Sequence, residues 1–277
     1  MPKSEVIKES GQAETFNRKK ILRSLLNSGV PRAEAGDIID RAVMELTPPL
    51  TTRKIFRAIK KNLRRFDTVC TMKYSLKQAI YDLGPTGYPF ERYIAKVLEK
   101  EGYRADVGSL VEGKCVSHEV DVVARRDNNV YFVECKFHKR RKTTSDVKTA
   151  LYVQARFQDI DDAYRGKGAK FDRRGMLVTN TRFTSEAVKY ADCMGLRIIG
   201  WKHPPGQSLE RIIENGRTYP VTVLTSAGKA ISQRLAEAGI VLASEVLDID
   251  VKTLARHAGV KREAAEKIRR QAGQICA

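Results

Sequence analysis

Residues 131–138 read YFVECKFH, and the rest of the domain can be built outward from them. Aromatic and branched apolar residues dominate this stretch, as is typical of a buried β-strand. Glu134 and Lys136 nevertheless lie in its middle. Burying a charge costs free energy unless a partner compensates it. The stretch therefore predicts a strand with a chemical role as well as a structural one.

A second strand precedes this one. Residues 118–125, HEVDVVAR, are again rich in valine, and the polar residues 126–129, RDNN, lie between the two apolar runs. A short polar segment between two such runs is typical of a β-hairpin turn. The two stretches are therefore predicted to pair as antiparallel neighbours.

The register of this hairpin decides which side chains meet. If Arg125 faces Val130 across a symmetric turn, Asp121 lies opposite Glu134 and both project from one face. Lys136 joins them because residues two apart on a strand share a face. A register that slipped by one residue would separate the two carboxylates.

Two carboxylates that face each other in a ladder repel, and burial makes both anions costly. Mg²⁺ compensates such a pair, because it accepts carboxylate oxygens and keeps water positions that meet substrate phosphates. We expect Asp121 and Glu134 to bind Mg²⁺. Lys136 would orient or deprotonate the attacking water and stabilise charge at phosphorus. The alternative is an ordinary ion pair between Glu134 and Lys136 on a solvated face, with Asp121 at the surface.

Two more residues fit this site. Glu91 falls in the first turn of a predicted helix, where the helix dipole favours a carboxylate and from where it could reach the metal. Gln154 lies in KTALYVQARF, residues 148–157, which is helix-like, and its amide could hydrogen-bond a base or a phosphate. Taken singly, Glu91 reads as a helix-end charge and Gln154 as a surface residue.

The composition of the whole chain indicates the partner. The 277 residues carry a net charge of +18, and a polyanion such as nucleic acid is the common partner of so basic a protein. A solubility adaptation is the alternative. Five cysteines without a CxxC pair and four histidines without a cluster suggest neither a disulfide framework nor a zinc site. We expect a cytoplasmic protein with no membrane partner, because no apolar run is long enough for a membrane helix or signal peptide.

Three domains are predicted. Residues 1–83 read as a mostly helical unit after a short strand, and GPTGYP at 84–89 marks a boundary. Residues 84–221 alternate strands and helices, which predicts an α/β domain with a mixed sheet. Residues 222–277 are again helical and form a small all-helical unit.

Local signals place the helices of the first unit. Two extended segments about a Ser10-Gly11 turn come first, and Asn17 then caps a helix that ends at Gly29. The Pro48-Pro49 pair stops a second helix, and the Thr51-Thr52 cap begins a third. A final helix, KYSLKQAIYDL, closes the unit.

Five segments of the chain together resemble one enzyme family. In order they are GYPFERYIAKVLEKEGY, HEVDVV, YFVECKFH, YVQAR and GMLVTNTRFTSEAVKYA. They resemble the Mrr-like branch of the PD-(D/E)XK restriction endonucleases over about residues 85 to 203. The resemblance implies a magnesium-dependent phosphodiesterase that hydrolyses DNA.

The resemblance also assigns roles to residues. It implies that Asp121 and Glu134 bind metal and that Lys136 assists the nucleophilic water. Glu91 supports the site from its helix, and Gln154 occupies the position of the family's motif glutamine.

The segment before Asp121 differs from the family pattern. Many relatives have a glycine-rich segment there, whereas this chain has His118 and Glu119. Either residue is a further candidate for the site.

The first unit resembles the ATP-cone, a regulatory module of ribonucleotide reductases and their repressor. VIKESGQAETFNRKKILRSL matches its opening pattern V-x-K-x-x-G followed by F-(D/N)-x-x-K-I. The resemblance implies binding of ATP or dATP. Lys8, Arg18 and Lys20 would lie near the nucleotide phosphates, and Val6 would line the base pocket.

The last unit resembles a helix-hairpin-helix pair, through ARHAGVKREAAEKI. Such a module grips the DNA backbone with turn amides, independently of sequence. A protein-interaction module is the alternative.

These expectations combine into an endonuclease that acts on double-stranded DNA, of restriction or repair type, with nucleotide control by the first unit. A homodimer or higher homo-oligomer is expected because two strands must be cut for a double-strand break. One alternative is a nucleotide-responsive DNA-binding regulator whose nuclease fold is inactive. Another is a junction-resolving nuclease, which shares the same sheet chemistry.

Overall fold

The computed structural model describes residues 5–8, 11–166 and 172–277, in two compact units, Met1–Lys77 and Gln78–Ala277. The chain thus divides slightly before the predicted boundary at 83/84, and the second unit includes both the predicted α/β domain and the helical segment after residue 222. Within the described residues, no helix has the length and apolar character needed to cross a membrane.

The first unit combines a small sheet with helices. Its strand order is β2-β1-β3, with β1 antiparallel to β2 and parallel to β3. The elements are β1 Glu5–Ile7, β2 Ala13–Thr15, α1 Arg18–Asn27, α2 Arg32–Met44, β3 Leu50–Thr51, α3 Thr52–Phe66 and α4 Thr68–Tyr74, while α5 Leu76–Tyr81 crosses the unit boundary.

Both predicted caps of this unit are confirmed. The Asn17 side chain accepts a hydrogen bond from the Lys20 amide at 2.9 Å, and the Thr51 hydroxyl accepts one from the Lys54 amide at 3.1 Å. Ser10 of the predicted turn lies outside the described residues.

The predicted single closing helix is instead two helices, α4 and α5, which meet at Ser75. The Ser75 hydroxyl donates to the Thr71 carbonyl at 2.8 Å. Such back-bonding by serine competes with the regular helix pattern, which accounts for the break.

The second unit begins with α6 and continues with alternating strands and helices. Its elements are α6 Tyr88–Lys100, β4 Arg104–Glu112, β5 Ser117–Arg126, β6 Asn129–Lys136, β7 Thr144–Ser145, α7 Val147–Gly166, β8 Asp172–Thr179, β9 Arg182–Phe183, α8 Ser185–Met194, β10 Arg197–Ile199, α9 Leu209–Gly216, α10 Gly228–Glu237, α11 Val251–Ala258 and α12 Arg262–Cys276. Two short 3₁₀ helices, Val221–Val223 and Ser244–Leu247, flank α10.

A five-stranded sheet organises this unit, in the order β10-β8-β6-β5-β4. Strands β4, β5 and β6 pair antiparallel, whereas β6, β8 and β10 pair parallel, so the predicted α/β class with a mixed sheet is confirmed. Strands β7 and β9 form a separate two-stranded sheet.

Helices cover both faces of the large sheet. On one face Phe132 packs against Phe157 of α7, and a second hydrophobic cluster joins Val153 of α7 to Ala191 of α8. On the other face lies α6, whose buried side chains include Tyr93 and Ile94. The hairpin β5-β6 is therefore fixed between helices, with its end near the start of α6 left accessible.

The C-terminal helices are joined to this unit by specific bonds. The Tyr93 hydroxyl donates to the Thr218 carbonyl at 2.8 Å, and the Thr222 hydroxyl donates to the Ala79 carbonyl at 2.7 Å. Gly259 caps the end of helix α11. It adopts the left-handed conformation, with a φ of 63°, at the turn into α12.

Candidate active site

The hairpin has the predicted register. Arg125 pairs with Val130, and the ladder between β5 and β6 runs to the pair Val122 and Val133. Asp121 and Glu134 occupy the next position, one step beyond the end of that ladder. The two carboxylates therefore lie where the pairing of β5 with β6 ends, at the open end of the hairpin, while β6 continues to pair with β8.

The pairing of β5 with its other neighbour, β4, is also interrupted at Asp121. The ladder between β4 and β5 pairs Val107 with Val122 and Ser109 with Val120, and it passes over Gly108 and Asp121. Gly108 has a φ of 63°, a left-handed conformation that glycine adopts at little cost. The strand edge thus bends at the position of the aspartate.

The Asp121 side chain replaces part of the interrupted ladder. Its Oδ2 accepts a hydrogen bond from the backbone amide of Cys135 at 2.6 Å. This bond turns the carboxylate toward β6 and fixes it beside Glu134, which precedes Cys135 in the chain.

Arg156 of α7 holds Glu134. Its Nη1 donates to Glu134 Oε2 at 2.5 Å, and its Nη2 donates to the carbonyl oxygen of Glu119. Both side chains are largely buried, with 17% of Arg156 and 23% of Glu134 exposed. This ion pair connects α7 to β5 and β6, and sequence reasoning missed it.

A signal for Arg156 was present in the sequence. The α7 face that packs on the sheet carries Val153, Phe157 and Ile160, and Arg156 lies in the same stripe. A charged residue within an apolar helix stripe needs a partner, so it indicates an acidic group on the facing strand.

Glu91 shows how acidic the site is. Burial, followed by the charges of Asp121, Glu134 and Glu119, raises the pKa of Glu91 to about 7. Glu91 lies in the first turn of α6, so this helix brings a further carboxylate to the end of the hairpin. We call Glu91, Glu119, Asp121 and Glu134 the carboxylate cluster.

The pKa values of Asp121 and Glu134, two further members of the cluster, are also raised. Burial raises the pKa of Asp121, with the Cys135 amide and Arg156 opposing the rise. Burial also raises the pKa of Glu134, and the charge of Asp121 adds to it. Carboxylates with raised pKa values in an accessible recess are typical of functional sites, because a cation or substrate normally completes them.

Lys136 ends β6 beside the cluster, and its side chain is exposed. Its carbonyl oxygen accepts a hydrogen bond from the Thr179 hydroxyl at 2.8 Å. Asn180 holds the backbone of His138 with two bonds, accepting from its amide at 2.8 Å and donating to its carbonyl at 2.9 Å. Thr179 and Asn180 are fully buried, so the end of β8 and the residue after it position the strand that carries Lys136.

Gln154 of α7 is buried, with 9% of it exposed. Its Oε1 is buried and has no hydrogen-bond partner among the residues that the structure describes. An unsatisfied buried acceptor costs free energy, so its retention favours a role that needs a donor from outside the chain.

His118 and Glu119 take part in different interactions. His118 Nε2 lies 2.8 Å from Asp159 Oδ2, and Asp159 also accepts from the amides of Cys115 and Val116. That network closes the β4-β5 connection. Glu119, in contrast, raises the pKa values of Glu91 and Asp121, so of the two candidates it is the one that joins the cluster.

The donor set at the cluster consists of oxygen atoms. Among the described residues, no group of three or more His, Cys, Asp or Glu side chains is arranged to hold a metal ion by itself. A cation here would take two carboxylates and fill its remaining positions with water and phosphate oxygens, which is the usual habit of Mg²⁺.

The nucleotide-binding candidates of the first unit are arranged differently. Val6 is 3% exposed and belongs to the core of this unit. Lys8 pairs with Glu14 at 2.7 Å, and Arg18 pairs with Asp40.

Lys20 completes this set. It lies in the first turn of α1, and its backbone amide is the group that Asn17 caps. Nucleotide binding by these four residues stays a prediction.

Comparison with known families defines the class of the second unit. Residues 85–203 match the family described as restriction endonuclease, and residues 219–276 match the family described as AF1548-like, C-terminal. The segment that contains the carboxylate cluster is thus a restriction endonuclease domain, a class of DNA-cleaving hydrolases.

Full-length relatives extend the similarity. An uncharacterized protein of Archaeoglobus fulgidus (strain ATCC 49558 / DSM 4304 / JCM 9628 / NBRC 100126 / VC-16) is 33% identical over 186 residues, which are 66% of this chain and 99% of the relative. The crystal structure of the protein of unknown function AF1548 is 31% identical, with a TM-score of 0.57 over 69% of this chain and 98% of that one. The chain belongs to the AF1548-like family.

A weaker similarity involves the MspJI restriction endonuclease in complex with a 27-mer oligonucleotide. Identity is 13% and the TM-score is 0.35, over 72% of this chain and 39% of that chain. This similarity is too low to support an inference about the present chain. The ATP-cone and helix-hairpin-helix resemblances stay predictions, since neither matched family is described by either name.

Proposed function

We propose that the chain is a Mg²⁺-dependent DNA endonuclease that hydrolyses phosphodiester bonds at the carboxylate cluster. The observation that carries the proposal is the convergence of Asp121 and Glu134 at the open end of the hairpin, with Lys136 on the same strand as Glu134. This convergence lies within the restriction endonuclease domain.

Asp121 and Glu134 are the residues that would hold the cation. Their raised pKa values support this role, because two buried carboxylates that repel each other gain stability from a divalent cation between them. When bound, Mg²⁺ supplies charge stabilisation at the phosphate and acidifies a coordinated water. Arg156 is hydrogen-bonded to one oxygen of Glu134, which leaves the other oxygen for the cation.

Lys136 would act on the water and the phosphate. Its side chain is exposed next to the cluster, so it can reach a phosphate oxygen, and a cation beside the reacting phosphorus stabilises the charge that develops there. Gln154 would accept a hydrogen bond from a base of the substrate through its Oε1, and Glu91 would support the metal ligands from α6. These roles follow the resemblance to the Mrr-like enzymes.

The test is cleavage of supercoiled plasmid and of linear duplex DNA with Mg²⁺ or with chelator. We expect cleavage only with Mg²⁺, and a loss of about 100-fold or more in rate for Lys136→Ala, as for other removals of a charge-stabilising group. Lys189→Ala is the matched control, because Lys189 is an exposed lysine on α8. Equal rates in chelator, or in Lys136→Ala, would rule out this mechanism.

A second measurement tests the cation without activity. Titration calorimetry should detect Mg²⁺ binding to the wild type, and Asp121→Asn should lose it while keeping an acceptor for the Cys135 amide. The inactive-regulator alternative predicts DNA binding with no cleavage in the same preparation. The junction-resolvase alternative predicts that branched DNA is cleaved much faster than linear duplex.

Three further predictions accompany this proposal. Binding of ATP or dATP by the first unit would be seen by calorimetry with each nucleotide. DNA binding by the α11 to α12 turn would be weakened by charge reversal at Lys261, the residue before α12. A homodimer would be detected by light scattering.

A further inference from the structure

Two exposed tyrosines stand on the helices that flank the carboxylate cluster. Tyr88 of α6 is 57% exposed and Tyr152 of α7 is 59% exposed. Each has an arginine one turn later: the guanidinium carbon of Arg92 lies 5.9 Å from the Tyr88 ring centroid, and that of Arg156 lies 5.3 Å from the Tyr152 ring centroid. The same arrangement thus occurs on both helices.

Both tyrosines are tied to members of the cluster. Tyr88 and Glu91 are three residues apart on α6, so their side chains are neighbours on one helix face. The arginine that contacts Tyr152 is the one that binds Glu134 at 2.5 Å. Since α6 and α7 cover opposite faces of the sheet, the two rings flank the cluster from two sides.

A third apolar side chain lies at the edge of the same site. Leu110 of β4 is 73% exposed, and it pairs across the strands with Glu119 of the cluster. Single exposed apolar residues are ordinary on protein surfaces. Several of them around one polar site indicate a surface that meets a partner with apolar faces.

The chemistry of the partner follows from these groups. Paired duplex DNA presents phosphates and sugars to a cleft and keeps its base faces stacked inside, so it offers exposed tyrosine rings little to stack on. A strand with unpaired bases offers both phosphates and free base faces, and aromatic rings with nearby arginines are the usual platforms for such bases. Apolar wedges such as an exposed leucine often fill an opened base step.

We infer that the site takes DNA whose bases next to the scissile phosphate are unpaired, and that Tyr88 and Tyr152 each stack on one of these bases. The inference rests on the proposed function, because that function places the scissile phosphate at the carboxylate cluster. It narrows the substrate from DNA in general to duplexes opened at the cleavage site, such as bulges, forks or flaps.

Binding in chelator tests the inference apart from cleavage. Three fluorescein-labelled probes of one sequence are compared by anisotropy: a paired duplex, a single strand, and a duplex with four unpaired nucleotides at its centre. We expect the two unpaired probes to bind the wild type more tightly than the paired duplex. Tyr88→Ala and Tyr152→Ala should each weaken binding of the unpaired probes about tenfold and change binding of the paired duplex by less than about twofold.

Two more variants separate stacking from other effects. Tyr152→Phe keeps the ring and should bind like the wild type. Met194→Ala removes a side chain of α8 that is 45% exposed, and this variant should also bind like the wild type. Equal binding of all three probes by the wild type would overturn the inference. So would unchanged affinity in both alanine variants, or a loss in Tyr152→Phe as large as in Tyr152→Ala.

Cleavage with Mg²⁺ then distinguishes the two proposals. If the wild type cleaves none of the probes but the binding pattern is as expected, the endonuclease proposal fails and the binding inference stands. If the wild type cleaves the paired duplex as fast as the opened one, and the tyrosine variants cleave like the wild type, the endonuclease proposal stands and the inference fails.

Discussion

Replacing Glu91 by Gln should stabilise the protein at pH 8 and leave its stability at pH 4 unchanged. The pKa of Glu91 rises from its ordinary 4.5 to about 7, first through burial and then through the charges of Asp121, Glu134 and Glu119. The folded protein therefore holds a proton on Glu91 at pH values at which the unfolded chain has lost it.

The sign of the effect follows from this difference. Below pH 4.5 the carboxyl group is protonated in both states and costs nothing. Between pH 4.5 and about 7 the unfolded state ionises first, so folding stability falls as the pH rises. Above pH 7 the full cost of the charge is present, and glutamine removes it because it stays neutral at every pH.

The size of the effect can be estimated from the same two values. The difference between 4.5 and about 7 corresponds to about 3.4 kcal/mol. Water still reaches the group, and screening reduces the effect, so we expect a gain of about 1 to 1.5 kcal/mol at pH 8. Glu99→Gln provides the control, because Glu99 is exposed on the same helix and forms an ion pair with Lys96.

Urea unfolding in chelator at pH 4, 6 and 8 measures this gain. The single tryptophan, Trp201, is buried and lies in the same unit as Glu91, so its fluorescence reports the relevant transition. A gain of similar size at pH 4, or a gain at pH 8 no larger than that of Glu99→Gln, would refute the view that burial and neighbouring carboxylates raise the pKa of Glu91.

Three other substitutions test separate features of the site. Gly108→Ala should cost about 1 kcal/mol in urea unfolding, because alanine is strained in the left-handed backbone conformation at φ 63°. A Cβ at this position would meet no atom within 4 Å, so a cost above about 3 kcal/mol, which would indicate a steric clash, would contradict this account. Asn180→Ala should cost about 2 kcal/mol in the same assay, because it leaves the half-buried backbone amide and carbonyl of His138 without their Asn180 partner. A cost under about 0.5 kcal/mol would contradict that account. Gln154→Leu should change stability by less than about 1 kcal/mol, because the Oε1 that it removes has no hydrogen-bond partner among the described residues. The same variant should lower the rate of DNA cleavage at least tenfold, and full cleavage activity would show that Gln154 has no role in the reaction.

Local patterns were sufficient to predict the hairpin and its register. A polar turn between two apolar runs fixes the pairing over a short distance, and the pair Arg125 and Val130 fell where the sequence placed it. The position of Asp121 beside Glu134 followed from that register. These contacts join residues close in sequence, so few alternatives compete with them.

Contacts between distant segments could not be predicted in the same way. The bend at Gly108 depends on how β4 pairs with β5, and the sequence shows only a glycine in a strand. Arg156 reaches Glu134 only because α7 packs across β6, a relation that requires the packed fold. The site was thus predictable in its acidic residues and not in the arginine that holds one of them.

That arginine explains how so acidic a site can exist in a chain with a net charge of +18. Arg156 and Lys136 face four carboxylates, so the cluster keeps an excess of negative charge even with both cations in place. A DNA phosphate would add to this excess, and the basic surface of the chain can attract DNA without removing the local repulsion. A divalent cation offsets the excess where it arises, since it adds two positive charges at the carboxylates themselves. Burial and this repulsion, which together raise the pKa of Glu91, would make entry of a phosphate depend on such a cation, as the proposed metal-dependent nuclease requires.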